Sequence, residues 1–189
     1  EEYDYAQHEM NGLADFIAAY SGITGPAYTI STACSSSAKV FASARALLEM
    51  ELCDAVVVGG SDSLCEFVLN GFASLEVLSA EVSNPMSRNR NGINLGEGAC
   101  IFVMERSPDG IQLRGVGESC DAHHMSSPEP DGYGAQSAMQ NALKNAEMNP
   151  DKIQYLNLHG TGTRLNDEME ARAVLNTFPS VPFCSSTKP

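Results

Sequence analysis

The spacing of apolar and polar positions changes character along the chain. Residues 35–50 place Val40, Phe41, Ala44, Leu47 and Leu48 three and four apart, which predicts a buried helix. That helix follows a short β-prone run at 28–32 and a sharp turn holding Cys34. Residues 54–60, DAVVVGG, are continuous, β-branched and closed by two glycines, the pattern of a central strand buried on both faces. A helix is predicted over 67–78. Residues 99–105 and 111–118 read as two strands of an antiparallel hairpin joined by the Ser-Pro-Asp-Gly turn at 107–110. Ala135, Ala138, Met139, Ala142, Leu143 and Ala146 form a second helical stripe, and Asn149-Pro150-Asp151 breaks it. Residues 155–159 then predict a strand, 166–177 a helix and 183–186 a last strand-like run. This alternation predicts a layered α/β fold. The stretch 81–98, with four Asn, two Arg and three Gly, is too long and polar for a plain connector and is a candidate functional loop.

Composition narrows the classes. The 189 residues are 43% hydrophobic and 19% charged, as in a folded globular protein. Eleven basic against 24 acidic residues leave a net charge of −13 with no basic stripe, which argues against nucleic-acid and membrane-surface partners. The strongest apolar run, 55–58, falls far short of the ~20 residues that span a bilayer, and residues 1–5 are acidic where a signal peptide would be basic. Six cysteines without CxxC or Cys/His ligand spacing suggest neither a disulfide scaffold nor a zinc site. A soluble protein of a reducing cytoplasm is expected. Because the chain ends directly after a strand-like run, it reads as a piece of something longer.

Two constellations carry candidate chemistry. In Thr32-Ala33-Cys34-Ser35-Ser36-Ser37 the cysteine sits before a helix, where unpaired N–H groups and the helix dipole stabilise a thiolate. Cys34 is thus a candidate nucleophile, with an ordinary buried thiol as the alternative. Cys53, Cys65, Cys100, Cys120 and Cys184 lack that context and read as packing residues. In Leu158-His159-Gly160-Thr161-Gly162-Thr163 a strand delivers a histidine to a Gly/Thr loop that a polar, extended ligand could approach closely. A satisfied core histidine is the alternative for His159. A cysteine together with a histidine favours acyl transfer. Asp167 and Glu170, three apart, share a helix face near that loop, or are simply favourable first-turn acids. His123 and His124 are adjacent and so cannot readily share one metal ion; they are assigned to loop structure.

TACSSS at 32–37, DAVVVGGSDS at 54–63, GEGA at 96–99, DAHHMSSPEPDGYGA at 121–135 and HGTGTRLND at 159–167 together resemble a β-ketoacyl-[acyl-carrier-protein] synthase, in motif order and over nearly the whole chain. The resemblance implies a thiolase-like layered fold, helices around mixed sheets, with two related halves. Residues 1–106 would be the remainder of the N-terminal half with the nucleophile, and 107–189 the start of the C-terminal half with the HGTGT loop. It implies a decarboxylating Claisen condensation between an acyl group on Cys34 and a malonyl-carrier thioester, whose oxyanion His159 would hydrogen-bond. It also implies that Thr161, Thr163 and Ser126 contact the pantetheine arm. Lys188 would be the family's catalytic lysine and Glu170 the acid paired with it, with Asp167 behind them.

The same resemblance implies an acyl carrier protein as partner, a homodimer and no resident cofactor, since the phosphopantetheine arm arrives on the substrate. The family's second active-site histidine and its Gly-Phe-Gly loop lie past the position of Pro189, and its segment before the cysteine is longer, which implies a piece incomplete at both ends. Arg90-Asn91-Gly92-Ile93 stands where many members have Arg-Asp-Gly-Phe. Arg45, Arg88, Arg90 and Arg164 are candidate contacts for the acidic carrier. The alternatives are a non-catalytic partner subunit of chain-length-factor type, which typically lacks the cysteine, and a cysteine hydrolase.

Overall fold

The helical stripes and four of the six strand runs recur, with ends shifted by no more than four residues, in the computed structural model, which describes residues 4–188. The chain divides into two units, Glu1–Ser63 with Glu97–Gly110 and Leu64–Gly96 with Ile111–Pro189.

In the first unit, α1 (Gly12–Ser21) is an element the sequence reading did not anticipate. Its signal was present: Leu13, Phe16, Ile17 and Tyr20 fall at helical spacing, and Gly22 ends the helix at φ +67°, with Gly22 and Ile23 N–H groups donating to Ala19 and Ala18 carbonyls. Helix α2 (Ser36–Glu49) buries Ala44 and Leu48 and packs on β1 (Ala55–Asp62). Strand β1 pairs antiparallel with β2 (Gly98–Glu105), Val58 opposite Phe102, and Phe41 of α2 meets Phe102 edge-on at 5.5 Å. Arg106, just past β2, donates to the Leu48 and Cys53 carbonyls at 2.7 and 2.9 Å and pairs with Asp54 at 3.1 Å. It thereby ties the end of α2 to the start of β1.

Three expectations are corrected here. Residues 28–32 form no strand; Thr32 takes part only in an isolated bridge with Cys34. Strand β1 is not central, because β2 is its one sheet neighbour among the described residues and Val58 its one buried residue. A continuous apolar run reports a capacity for burial, not the presence of neighbours. Residues 111–118 form no strand either, and β2 takes β1 as partner instead of them.

In the second unit, α3 (Glu66–Ser74) is shorter than predicted, and β3 (Tyr155–Asn157) pairs parallel with β4 (Phe183–Ser185). Helices α4 (Tyr133–Asn145) and α5 (Arg164–Thr177) pack together, and the core gathers Leu158, Val174 and Phe178 with Met86, Met139, Leu143, Ile153 and Leu156. Glu129 accepts the Asp131 and Tyr133 N–H groups, both at 2.9 Å, at the start of α4. The 111–118 segment lies along α4, where Val116 N–H donates to Asn145 Oδ1 at 3.0 Å and Asn141 Nδ2 donates to the Glu118 carbonyl at 3.1 Å. The alanine stripe and the absence of side chains at Gly115 and Gly117 allow this approach. A Cβ on Gly117 would lie 2.1 Å from the Ala138 carbonyl oxygen.

Gly117→Ala is therefore expected to destabilise the protein by about 1–3 kcal/mol, since rigid helix backbone must move to admit the methyl group. Gly25→Ala, which meets nothing within 4 Å, serves as the control. Urea midpoints of the two variants check this, and equal midpoints would refute the packing argument.

Candidate active site

The cysteine turn belongs to the first unit. Ala33 adopts φ +53°, a left-handed conformation costly for a residue with a Cβ, immediately before the exposed Cys34. The hydroxyls around it hold that conformation. Ser35 Oγ donates to the Thr32 carbonyl at 2.8 Å, Ser36 Oγ donates to the Ala33 carbonyl at 2.7 Å, and Thr32 N–H donates to Ser36 Oγ at 2.8 Å. The serines after Cys34 are thus explained as turn-forming groups. Ser37, one turn further on, packs on β1 so closely that a Cβ on Gly60 would lie 2.6 Å from its Oγ. Cys34 lies two residues ahead of α2, at the positive end of its dipole. Its exposure excludes the buried-thiol alternative, and Cys65, Cys100, Cys120 and Cys184 are exposed too, against their expected packing role.

The HGTGT loop belongs to the second unit and begins where β3 ends. Leu158 N–H extends the β4 pairing to the Ser185 carbonyl at 2.8 Å, and the chain then turns through Gly160 (φ +42°) and Gly162 (φ +74°). Glu170 of α5 accepts the His159 N–H at 2.6 Å on one oxygen and the Gly160 N–H at 2.8 Å on the other. The Lys188 ammonium donates to the His159 carbonyl. The expected Glu170–Lys188 ion pair is absent among the described residues; each charge binds the backbone of His159 instead, because the loop's turn leaves both the N–H and the carbonyl without a strand partner. The Lys188 side chain is thereby tied to the HGTGT loop.

The imidazole of His159 is held below its ordinary pKa, first by desolvation and then by the Lys188 charge, with Glu170 and Asp167 pulling weakly the other way. Partial desolvation of the otherwise exposed Cys184 thiol, with the Glu170 charge adding to it, pushes its pKa up. Thr161 and Thr163 are half-buried and pair hydroxyl to hydroxyl at 2.8 Å.

Asp167, 2% exposed, accepts the Gly162 N–H at 3.2 Å and the Met86 N–H at 2.7 Å, and Arg90 Nε lies 3.6 Å away. The 81–98 stretch is therefore attached to the HGTGT loop. Gly92 N–H also donates to the Gly162 carbonyl at 3.0 Å, and Ser83 Oγ to the Gly92 carbonyl at 2.9 Å. Arg90, read from sequence as a carrier contact, is spent inside: its guanidinium also reaches Glu168 at 3.3 Å and the Ser87 carbonyl at 2.9 Å. Arg45 and Arg164 pair with Glu49 and Glu168 on their own helices. The sequence reading missed Arg90, Met86 and Ser83 as parts of this site; the unusual length of the Asn/Gly loop was the available signal.

Ser126 lies on an exposed loop, where its N–H donates to His124 Nδ1 at 3.1 Å. Asp121 organises that loop by accepting the His123 and Glu129 N–H groups at 3.0 and 3.1 Å, which hold its carboxyl below the usual range. Among the described residues no cluster of three or more His, Cys, Asp or Glu could hold a metal ion, and no helix is long and apolar enough to cross a membrane.

Asp167→Asn replaces an acceptor of two amides by a group whose NH₂ opposes one of them and leaves Arg90 without its buried counter-charge. A loss of about 3–5 kcal/mol is expected, checked by urea unfolding. A loss below about 1 kcal/mol would show that the carboxylate is not what joins the two loops.

The chain is similar to known proteins over both of its units. Residues 2–109 match the family described as Beta-ketoacyl synthase, N-terminal domain, and residues 111–189 match Beta-ketoacyl synthase, C-terminal domain. Nodulation protein E of Rhizobium leguminosarum bv. trifolii is 35% identical over 94% of this chain and 47% of its own length. The chloroplastic 3-oxoacyl-[acyl-carrier-protein] synthase I of Arabidopsis thaliana is 33% identical over 84% of this chain and 37% of its own length. Among solved structures, a chain of the ketosynthase (ApeO) in complex with its chain length factor (ApeC) from Xenorhabdus doucetiae superposes with a TM-score of 0.93 at 48% identity. That match covers 98% of this chain and 47% of the other. The chain spans about half the length of the curated relatives it matches. With both family domains matched in order and a thiolase-like ketosynthase fold behind them, the chain belongs to the β-ketoacyl synthase family.

Proposed function

We propose that this chain carries the nucleophile and the oxyanion-stabilising histidine of an enzyme that extends an acyl thioester by two carbons. The observation that carries the reading is that one chain holds both an exposed cysteine on a strained turn and, in its other unit, a histidine whose backbone is gripped by Glu170 and Lys188. In the first step Cys34 gives up its proton and its thiolate attacks the carbonyl of an acyl-carrier thioester. The C–S bond to the carrier breaks, and the departing carrier thiolate takes up a proton in place of the one Cys34 lost. In the second, a malonyl-carrier thioester loses CO₂, and the electron pair of the broken C–C bond moves onto the thioester oxygen as an enolate. The neutral imidazole of His159 donates a hydrogen bond to that oxygen, and its lowered pKa keeps it neutral near pH 7. The enolate carbon then attacks the acyl-Cys34 carbonyl, and the tetrahedral adduct expels the Cys34 thiolate.

In this reading Thr161, Thr163 and Ser126 line the path of the pantetheine arm, and Lys188 and Glu170 fix His159. An acyl carrier protein delivers both thioesters, the working protein is a homodimer of the longer chain in the cytoplasm, and no resident cofactor is needed. Cys34 speaks against a non-catalytic subunit of chain-length-factor type.

In the full-length protein, Cys34→Ala is expected to abolish acyl loading seen as a mass increase, while His159→Ala loads normally but condenses about 10²–10³-fold more slowly. Equal loss of loading in both variants would overturn the division of roles, and a wild-type protein that never loads would support the partner-subunit reading.

The His159 titration gives a second check. Its imidazole resonance is expected to titrate below about pH 6.5, and Lys188→Ala should raise the midpoint by removing a like charge. Because the unfolded chain then binds the proton more tightly than the folded one, this residue makes stability fall as pH drops through the ordinary histidine range. A midpoint unmoved by Lys188→Ala would show that the ammonium does not act on the ring.

A further inference from the structure

The segment 83–94 carries more backbone strain and more buried polarity than a connector requires. Met86 sits at φ +61°, unfavourable for a long side chain, and Gly92 at φ +129°. A Cβ on Gly92 would lie 2.3 Å from the Val77 carbonyl oxygen, and one on Gly162 would lie 2.6 Å from the Gly92 carbonyl oxygen. Such a conformation persists only where surrounding groups hold it. The group that does so is Asp167, whose two oxygens bind the strained Met86 amide and the Gly162 amide.

A nearly buried carboxylate needs a counter-charge, and Arg90 supplies it. Its Nε is buried with no hydrogen-bond partner, 3.6 Å from Asp167 Oδ2, while its two terminal nitrogens hold the Ser87 carbonyl within its own loop and Glu168 of α5. The guanidinium thus spans loop and helix at the point where the helix leaves the HGTGT loop. A planar fork is required for this, because one ammonium cannot reach both carboxylates and a carbonyl.

We propose that Arg90 is a positioning residue for the condensation step: acting through Asp167, it sets the place of the Gly160–Gly162 turn and hence of His159. This rests on the reading of His159 as the oxyanion donor. Loading of Cys34 needs the thioester to arrive, whereas stabilising the enolate needs a donor placed to within a fraction of an ångström, and a 1 Å error costs on the order of 10²-fold. Arg90 therefore bears on the second step more than on the first.

The test uses the full-length protein with Arg90→Met and Arg90→Lys. Two readouts are taken: acyl loading and condensation rates by mass spectrometry, and amide hydrogen exchange over residues 83–94 and 158–163. Arg90→Met is expected to reach full loading while its condensation kcat falls about 10–100-fold, with Arg90→Lys recovering only part. Exchange should accelerate in those two segments and stay unchanged over residues 98–105. Equal loss in both half-reactions, no loss in either, or a uniform rise in exchange would overturn the proposal. If Arg90→Met does not fold, Arg90→Lys decides by the same comparisons. The exchange readout is independent of turnover, so a wild-type protein that condenses nothing refutes the enzyme reading while exchange still judges the role of Arg90.

Discussion

One carboxylate organises the second unit's irregular backbone. Loops that leave regular structure strand their N–H groups, and a buried acid left alone would be costly. Asp167 resolves both problems at once by accepting an amide from each of two loops, 81 residues apart for Met86, beside the Arg90 guanidinium. Asp167 also belongs to the first turn of α5, so the same acid sits where the helix dipole favours a negative charge.

Glu170 repeats the device one turn later on His159 and Gly160. Helix spacing places residues 167 and 170 on one face, and the loop that precedes the helix folds back over that face. The imidazole is spared: no hydrogen bond engages its ring among the described residues, while acid, lysine and helix fix the main chain that carries it. A side chain meant to meet a ligand is better held through its backbone than through its own polar atoms, because the latter then stay available.

The first unit reaches a similar end by local means. Its cysteine follows a residue in a left-handed conformation, and neighbouring hydroxyls, all within five residues, satisfy the turn. Strain is held by short-range hydrogen bonds there and by a long-range ionic cluster in the second unit. This difference explains why TACSSS can be read as a unit from sequence, whereas the partners of HGTGT cannot.

Periodicity sufficed for helices α2, α4 and α5 and for the strand character of DAVVVGG and GACIFVME, because these depend on neighbours within one or two turns. The motifs also sufficed for the family. Pairing was another matter. Residues 111–118 look as strand-like as 99–105, yet glycine–alanine contact draws them onto α4, and a contact between segments over 20 residues apart leaves no trace in either segment's own pattern. The family's expected Glu170–Lys188 bond likewise gave way to two unpaired backbone groups at His159. Only the tertiary structure decided that Arg90 faces inward, since a side chain's counter-charge depends on which helix terminus the fold brings within 4 Å of it.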